Sequence, residues 1–121
     1  MLKKIISGGQ TGAERAALDV AINFNIRYSG WIPKGRMAED GPISDKYHLH
    51  EMPIPSYSKK TEQNVLHADA DLIISHGPLS GSSSYTKKVA MKHGLPWIHV
   101  DLSEVSIFQA AVFVLKMDGK K

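Results

Sequence analysis

The chain has 121 residues, 42% of them hydrophobic, a formal net charge of +3 at pH 7 and no cysteine. That is apolar material for one compact core and too little for two, so one domain spanning residues 1–121 is expected. Without cysteine there are no disulfides or thiolate metal sites, the basic residues are too scattered for a nucleic-acid patch, and no apolar run approaches membrane-spanning length. A soluble, untargeted protein of the reducing cytoplasm, with neither nucleic acid nor membrane as partner, is the expectation.

Lys3 to Arg15 reads as a short buried strand that breaks into a Gly-rich turn, Ser7-Gly8-Gly9-Gln10-Thr11-Gly12, and then a helix. Such a turn exposes backbone N–H groups at the positive end of a helix dipole, where an anion such as a phosphate is the natural occupant. Thr11 and Glu14 have the spacing of a capping box, and Arg15 can turn its planar fork toward a bound phosphate. The pattern G-G-x-x-G is neither the P-loop nor the dinucleotide fingerprint.

Ala17, Val20, Ala21 and Phe24 share a face of a helix expected over 12–24, and a second strand follows over 26–32. Residues 33–42 form a long polar loop of both charges, the kind of segment that persists in a small domain when it binds something. Residues 47–52 alternate as a short edge strand, closed by Pro53 and Pro55, and a mostly polar helix is expected over 57–67. The apolar run 71–76 predicts a central parallel strand, and it breaks into a second turn, 77–84, that opens a helix ending near His93 with Gly94 at C′. Residues 97–100 predict another core strand, and Ser103 a cap for a last helix whose Ile107, Ala110, Ala111 and Val114 share a face. This order predicts an open, mainly parallel sheet with helices on both sides, whose ligand crevice lies at the carboxyl ends of the strands. The first Gly-rich turn, the 33–42 loop and the 77–84 turn all follow strands.

At Ser7 to Gly12 followed by Arg15-Ala16-Ala17-Leu18-Asp19, the sequence resembles the molybdenum carrier proteins, small bacterial relatives of the Rossmann-like superfamily of cytokinin-activating phosphoribohydrolases and molybdenum cofactor carriers. The resemblance continues through Gly30-Trp31, Pro33-Lys34-Gly35-Arg36, 38–43, Tyr47, Glu51, Thr61, Asn64-Val65, Asp71 and 77–81. It departs at Glu14, where Asp is expected, and at Ser82-Ser83, where Gly-Thr is more usual. It also implies a chain that stops early, since relatives usually carry another strand and an Asn-Gly-rich turn. The implied fold is a Rossmann-like three-layer α/β/α sandwich. The implied function is to carry the molybdenum cofactor, molybdopterin, a pterin bearing a phosphate, or otherwise a nucleotide-like phosphate ligand; homo-oligomers are common among such folds.

The candidate ligand-binding residues are therefore Gly8, Gly9, Gln10, Thr11, Gly12, Arg15, Lys34, Gly35, Arg36, Gly77, Gly81, Ser82 and Ser83. Lys34 and Arg36 also read as a solvated pair, Glu39 and Asp40 as partners for those cations, and Asn64 as either a turn holder or a cleft residue. His48 and His50 share a strand face but lack a third convergent ligand, so no metal site is expected. No Ser-His-Asp arrangement is visible in the sequence. A carrier with no catalytic residues ranks first; the alternative is a nucleotide N-glycosidase using Glu14, or Glu39, beside Arg15. Trp97 and the last helix are the expected contact surfaces of an oligomer.

Overall fold

A computed structural model describes residues 3–104. In chain order the elements are β1 (Lys4–Ile6), α1 (Ala13–Asn23), β2 (Arg27–Ser29), β3 (Trp31–Ile32), β4 (His50–Glu51), α2 (Tyr57–Leu66), β5 (Asp71–Ser75), α3 (Gly81–Lys92) and β6 (Trp97–Asp101). The expected last helix lies outside the described residues.

The strands form three parallel pairs, β1 with β2, β3 with β4, and β5 with β6. The strand expected over 26–32 is split at Gly30, and the split has a steric origin. A Cβ at Gly30 would overlap the Ser7 carbonyl, so only glycine lets the chain pass β1 closely there. On one side of Gly30, Ser7 N donates to Ser29 O at 3.0 Å; on the other, His50 N donates to Gly30 O at 2.9 Å. The chain thus changes partner from β1 to β4 at a single residue. Of the edge strand expected over 47–52, only His50–Glu51 pairs, because Tyr47 turns inward, buried, and donates to Asp19 Oδ1 at 2.6 Å.

The layers follow from side-chain alternation along β3. Ile32 is buried with Leu18 of α1, Ile43 and Tyr47 on one face. Trp31 faces the other way, its ring centroid 6.1 Å from that of His67 at the end of α2. A second cluster, Val65 of α2 with Val89 and Ala90 of α3, packs against Tyr85, Leu95 and Trp97. The structure is therefore a helix, parallel-strand, helix sandwich of Rossmann-like type, with α1 on one side and α2 and α3 on the other. Trp97 is partly buried against this cluster, with Lys87 Nζ 4.9 Å from the centroid of its ring.

The helix ends are fixed by local chemistry. Gly94, expected at C′ of α3, donates to Met91 O, and Leu95 N donates to Ala90 O, a Schellman motif. α1 ends the same way with Asn25 at C′ (φ 54°) and Ile26 N on Ala21 O at 2.9 Å. α2 begins on Ser56, whose Oγ accepts from Lys59 N at 3.2 Å.

Candidate ligand-binding site

The first turn leaves β1 at Ser7, which is buried and whose Oγ donates to the Glu14 carbonyl at 2.6 Å while accepting from Gly9 N at 3.3 Å. The chain thus folds back onto the start of α1. The capping box expected between Thr11 and Glu14 is not formed. The N-cap is Gly12, at φ 84° and without a side-chain cap, so Thr11 stands one residue too early. Glu14 instead reaches past the N-cap and accepts from Gln10 N at 3.0 Å. The Thr11 hydroxyl donates to Glu39 Oε2 at 3.4 Å.

Beneath the turn lies a residue the sequence reading did not select. Lys60, in the first turn of α2, is 2% exposed, and its Nζ donates to Glu14 Oε2 and Oε1 at 3.2 and 3.4 Å. The ammonium fills the place where a Gly8 side chain would start, so Gly8 makes room for a charge as well as for a turn. Its signal was faint, since lysine on a polar helix is normally a solvated residue. The N-terminal ends of α1 and α2 therefore meet over the carboxyl end of β1.

The 33–42 loop is tied to this turn. Gln10 Nε2 donates to Met37 O at 2.9 Å, and Arg15 bonds and ion-pairs with Asp40 while its Nε and Nη2 donate to Gly9 O at 3.2 and 3.0 Å. The hydrogen bond from Arg15 holds the Asp40 carboxyl below the usual carboxylate range, and the same bond raises Arg15. Asp40 and Glu39 do pair internally, but with Arg15 and Thr11 rather than with the expected Lys34 and Arg36. Arg36, at φ 56°, clamps its own loop: Nε donates to Ile43 O, and Nη2 to Ser44 O and Tyr47 O, at 2.8 to 3.0 Å. Gly35 N donates to Glu51 Oε2 at 3.0 Å, and Lys34 is exposed. Both arginines therefore hold protein oxygens, and the exposed cation on this loop is Lys34.

The second turn is organised on β5 and β6. Gly77 N donates to Asp101 Oδ1 at 2.7 Å, and Ser75 Oγ donates to Gly77 O at 2.8 Å. Gly81 opens α3, whose N-cap Ser80 makes no side-chain cap bond, and Ser82 and Ser83 lie in its first turn. Bonds from Ser103 and Gly77 hold the Asp101 carboxyl below its usual range. Ser75 Oγ also lies 2.6 Å from His99 Nε2, a serine–histidine contact invisible in the sequence. The Ser75 hydroxyl thus has two partners, the Gly77 carbonyl and the His99 ring.

Asn64 is a structural holder: its Oδ1 accepts from Trp31 N at 2.8 Å and its Nδ2 donates to Trp31 O at 3.0 Å, as a neighbouring strand would. The His50 ring packs against Trp31 at a tilt of 37°, with centroids 5.0 Å apart. Among the described residues no group of three or more His, Cys, Asp or Glu is placed to hold a metal ion, and no helix is long and apolar enough to cross a membrane.

The sequence model of the circularly permutated YpsA SLOG family matches residues 5–119. Among solved structures, the chain is similar to the crystal structure of "Putative molybdenum carrier protein" from Syntrophus aciditrophicus SB, with 54% identity and a TM-score of 0.92 over 93% of this chain and 72% of that one. No curated protein matches. With a family match over nearly its whole length, and a relative of this identity that bears out the molybdenum carrier resemblance, the chain belongs to the circularly permutated YpsA SLOG family.

Proposed function

We propose that this protein is a carrier that binds a phosphate-bearing ligand at the turns following β1 and β5, and that the ligand is the molybdenum cofactor, a pterin with a phosphate. One observation carries the assignment. The two helices that follow Gly-rich turns, α1 and α3, begin without a side-chain cap, whereas α2 begins with Ser56 capping Lys59 N. Uncapped N–H groups with the dipole behind them suit an anion that bridges to the backbone. The residues fit such a ligand through backbone donors and the exposed Lys34, since Arg15 and Arg36 already hold protein oxygens. The identity to a protein named as a molybdenum carrier supports the choice of pterin over a nucleotide.

Mass spectrometry of the small molecules retained through mild anaerobic purification tests the assignment. The expected result is a phosphorylated pterin, displaced by millimolar inorganic phosphate. A nucleotide in its place would reassign the ligand. Phosphate and phosphorylated ligands that all fail to bind in titration calorimetry would remove the function altogether.

A further inference from the structure

The Lys60–Glu14 pair has a geometry that the ligand function alone does not explain. A carboxylate lies against the turn offered to an anion, and like charges at such range oppose each other. Beside that carboxylate, and 2% exposed, lies an ammonium whose bonds run to both of its oxygens. Lysine is seldom buried without a partner of opposite charge, and here the partner is the residue that shapes the turn by accepting from Gln10 N. Glycine at position 8 leaves the space that the ammonium occupies. Arg15 holds Gly9 O but is ion-paired with Asp40, and Arg36 holds carbonyls of its own loop, so the cation bonded to Glu14 is Lys60.

We propose that Lys60 is a positioning residue of the ligand turn: it neutralises Glu14 and holds that carboxylate against the Gln10 N–H, so that an incoming phosphate meets backbone donors instead of negative charge. The proposal rests on the phosphate-ligand function given above. Lys60 acts through Glu14 and does not itself touch the ligand.

The test is titration calorimetry with inorganic phosphate and with adenosine 5′-monophosphate. It compares wild type, Lys60→Met and the double variant Glu14→Gln/Lys60→Met, with circular dichroism to establish folding. Lys60→Met leaves Glu14 charged beside the ligand, and affinity should fall about tenfold, equivalent to roughly 1.4 kcal/mol. The double variant removes both charges and should return to within about threefold of wild type, about 0.7 kcal/mol by the same conversion. Unchanged affinity in Lys60→Met would overturn the proposal. So would a double variant weaker than wild type by about tenfold, since Lys60 would then contact the ligand directly. If Lys60→Met does not fold, the double variant decides alone by the same criterion. Wild-type protein that binds neither probe would overturn this inference, while the ligand function falls only if phosphorylated ligands all fail to bind; wild-type binding that Lys60→Met leaves intact sinks only the inference.

Discussion

The Arg15 guanidinium joins the Asp40 carboxylate to the Gly9 carbonyl, so that one side chain of α1 fastens the polar loop to the Gly-rich turn. Arg15→Ala and Asp40→Ala should therefore act alike. Each is expected to speed amide hydrogen exchange in 33–42 and weaken ligand binding, with the double variant little worse than either single one. Because the bond lowers the Asp40 carboxyl, its contribution is present above the ordinary value of 3.8 and fades as pH falls through the lower folded value. Once the intrinsic pH dependence of amide exchange is divided out, protection of the loop should fall at acid pH in wild type and be insensitive to that step in Asp40→Ala. Loop exchange unaltered by either substitution would show that the pair does not fasten the loop.

Periodicity, an apolar run and stop signals made α1, α2 and β5 legible in the sequence to within a residue or two, because such signals act locally; of α3 they gave the end, while its start at Gly81 falls inside the turn expected over 77–84. Gly94 at C′ of α3 is such a signal. The change of partner at Gly30 was not legible, since its cause is the carbonyl of Ser7, far away in sequence. The site divides in the same way. The turns were visible as Gly-rich breaks after strands, but the roles of their charged residues depend on long-range partners. Arg15 found Asp40, Arg36 found three carbonyls, and Lys60 found Glu14. A capping box was inferred from spacing alone, and it failed because the helix starts one residue later, on Gly12.

Asn64 substitutes for a strand against Trp31, and this makes it a stability residue. Asn64→Ala removes two hydrogen bonds and leaves a part-buried backbone N–H without its acceptor. The expected loss is about 2 kcal/mol, from roughly 0.5–1.5 kcal/mol per bond. Urea unfolding monitored by tryptophan fluorescence measures it. A loss below about 0.5 kcal/mol, the lower end for a single bond, would mean that water replaces the amide at no penalty.

Asp71, at the start of β5, gives a pH signature of opposite sign to that of Asp40. Its Oδ2 is buried without a hydrogen-bond partner among the described residues, and burial pushes the carboxyl up to about 6. The folded protein therefore holds a proton that the unfolded chain releases at 3.8. The stability this group contributes is full below that value and is lost as pH rises toward 6. Asp71→Asn keeps the shape without the charge, so its Tm should exceed that of wild type at pH 7, with the difference shrinking toward pH 4. Scanning calorimetry at the two pH values checks this, and a pH-independent difference would show that the Asp71 charge is not the cause.

Cleavage of an N-glycosidic bond needs a carboxyl group that can exchange a proton or face a developing cation. The first candidate, Glu14, is bonded to Lys60 and to Gln10 N, while Arg15 beside it is bonded to Asp40 and Gly9 O. The second candidate, Glu39, accepts from Thr11. A nucleoside monophosphate held at the turn thus meets carboxylates already committed to the protein. Incubation with a panel of nucleoside monophosphates should release base no faster than buffer, as followed by chromatography. Glu14→Gln alone is a poor control, because it leaves the Lys60 ammonium buried without its counter-charge, a change that costs roughly 3 kcal/mol or more in a fully buried pair and less here, where Glu14 is partly exposed. Glu14→Gln/Lys60→Met is the better one. Base release by wild type that disappears in this double variant, while phosphate binding survives, would make Glu14 a catalytic residue and the protein a hydrolase.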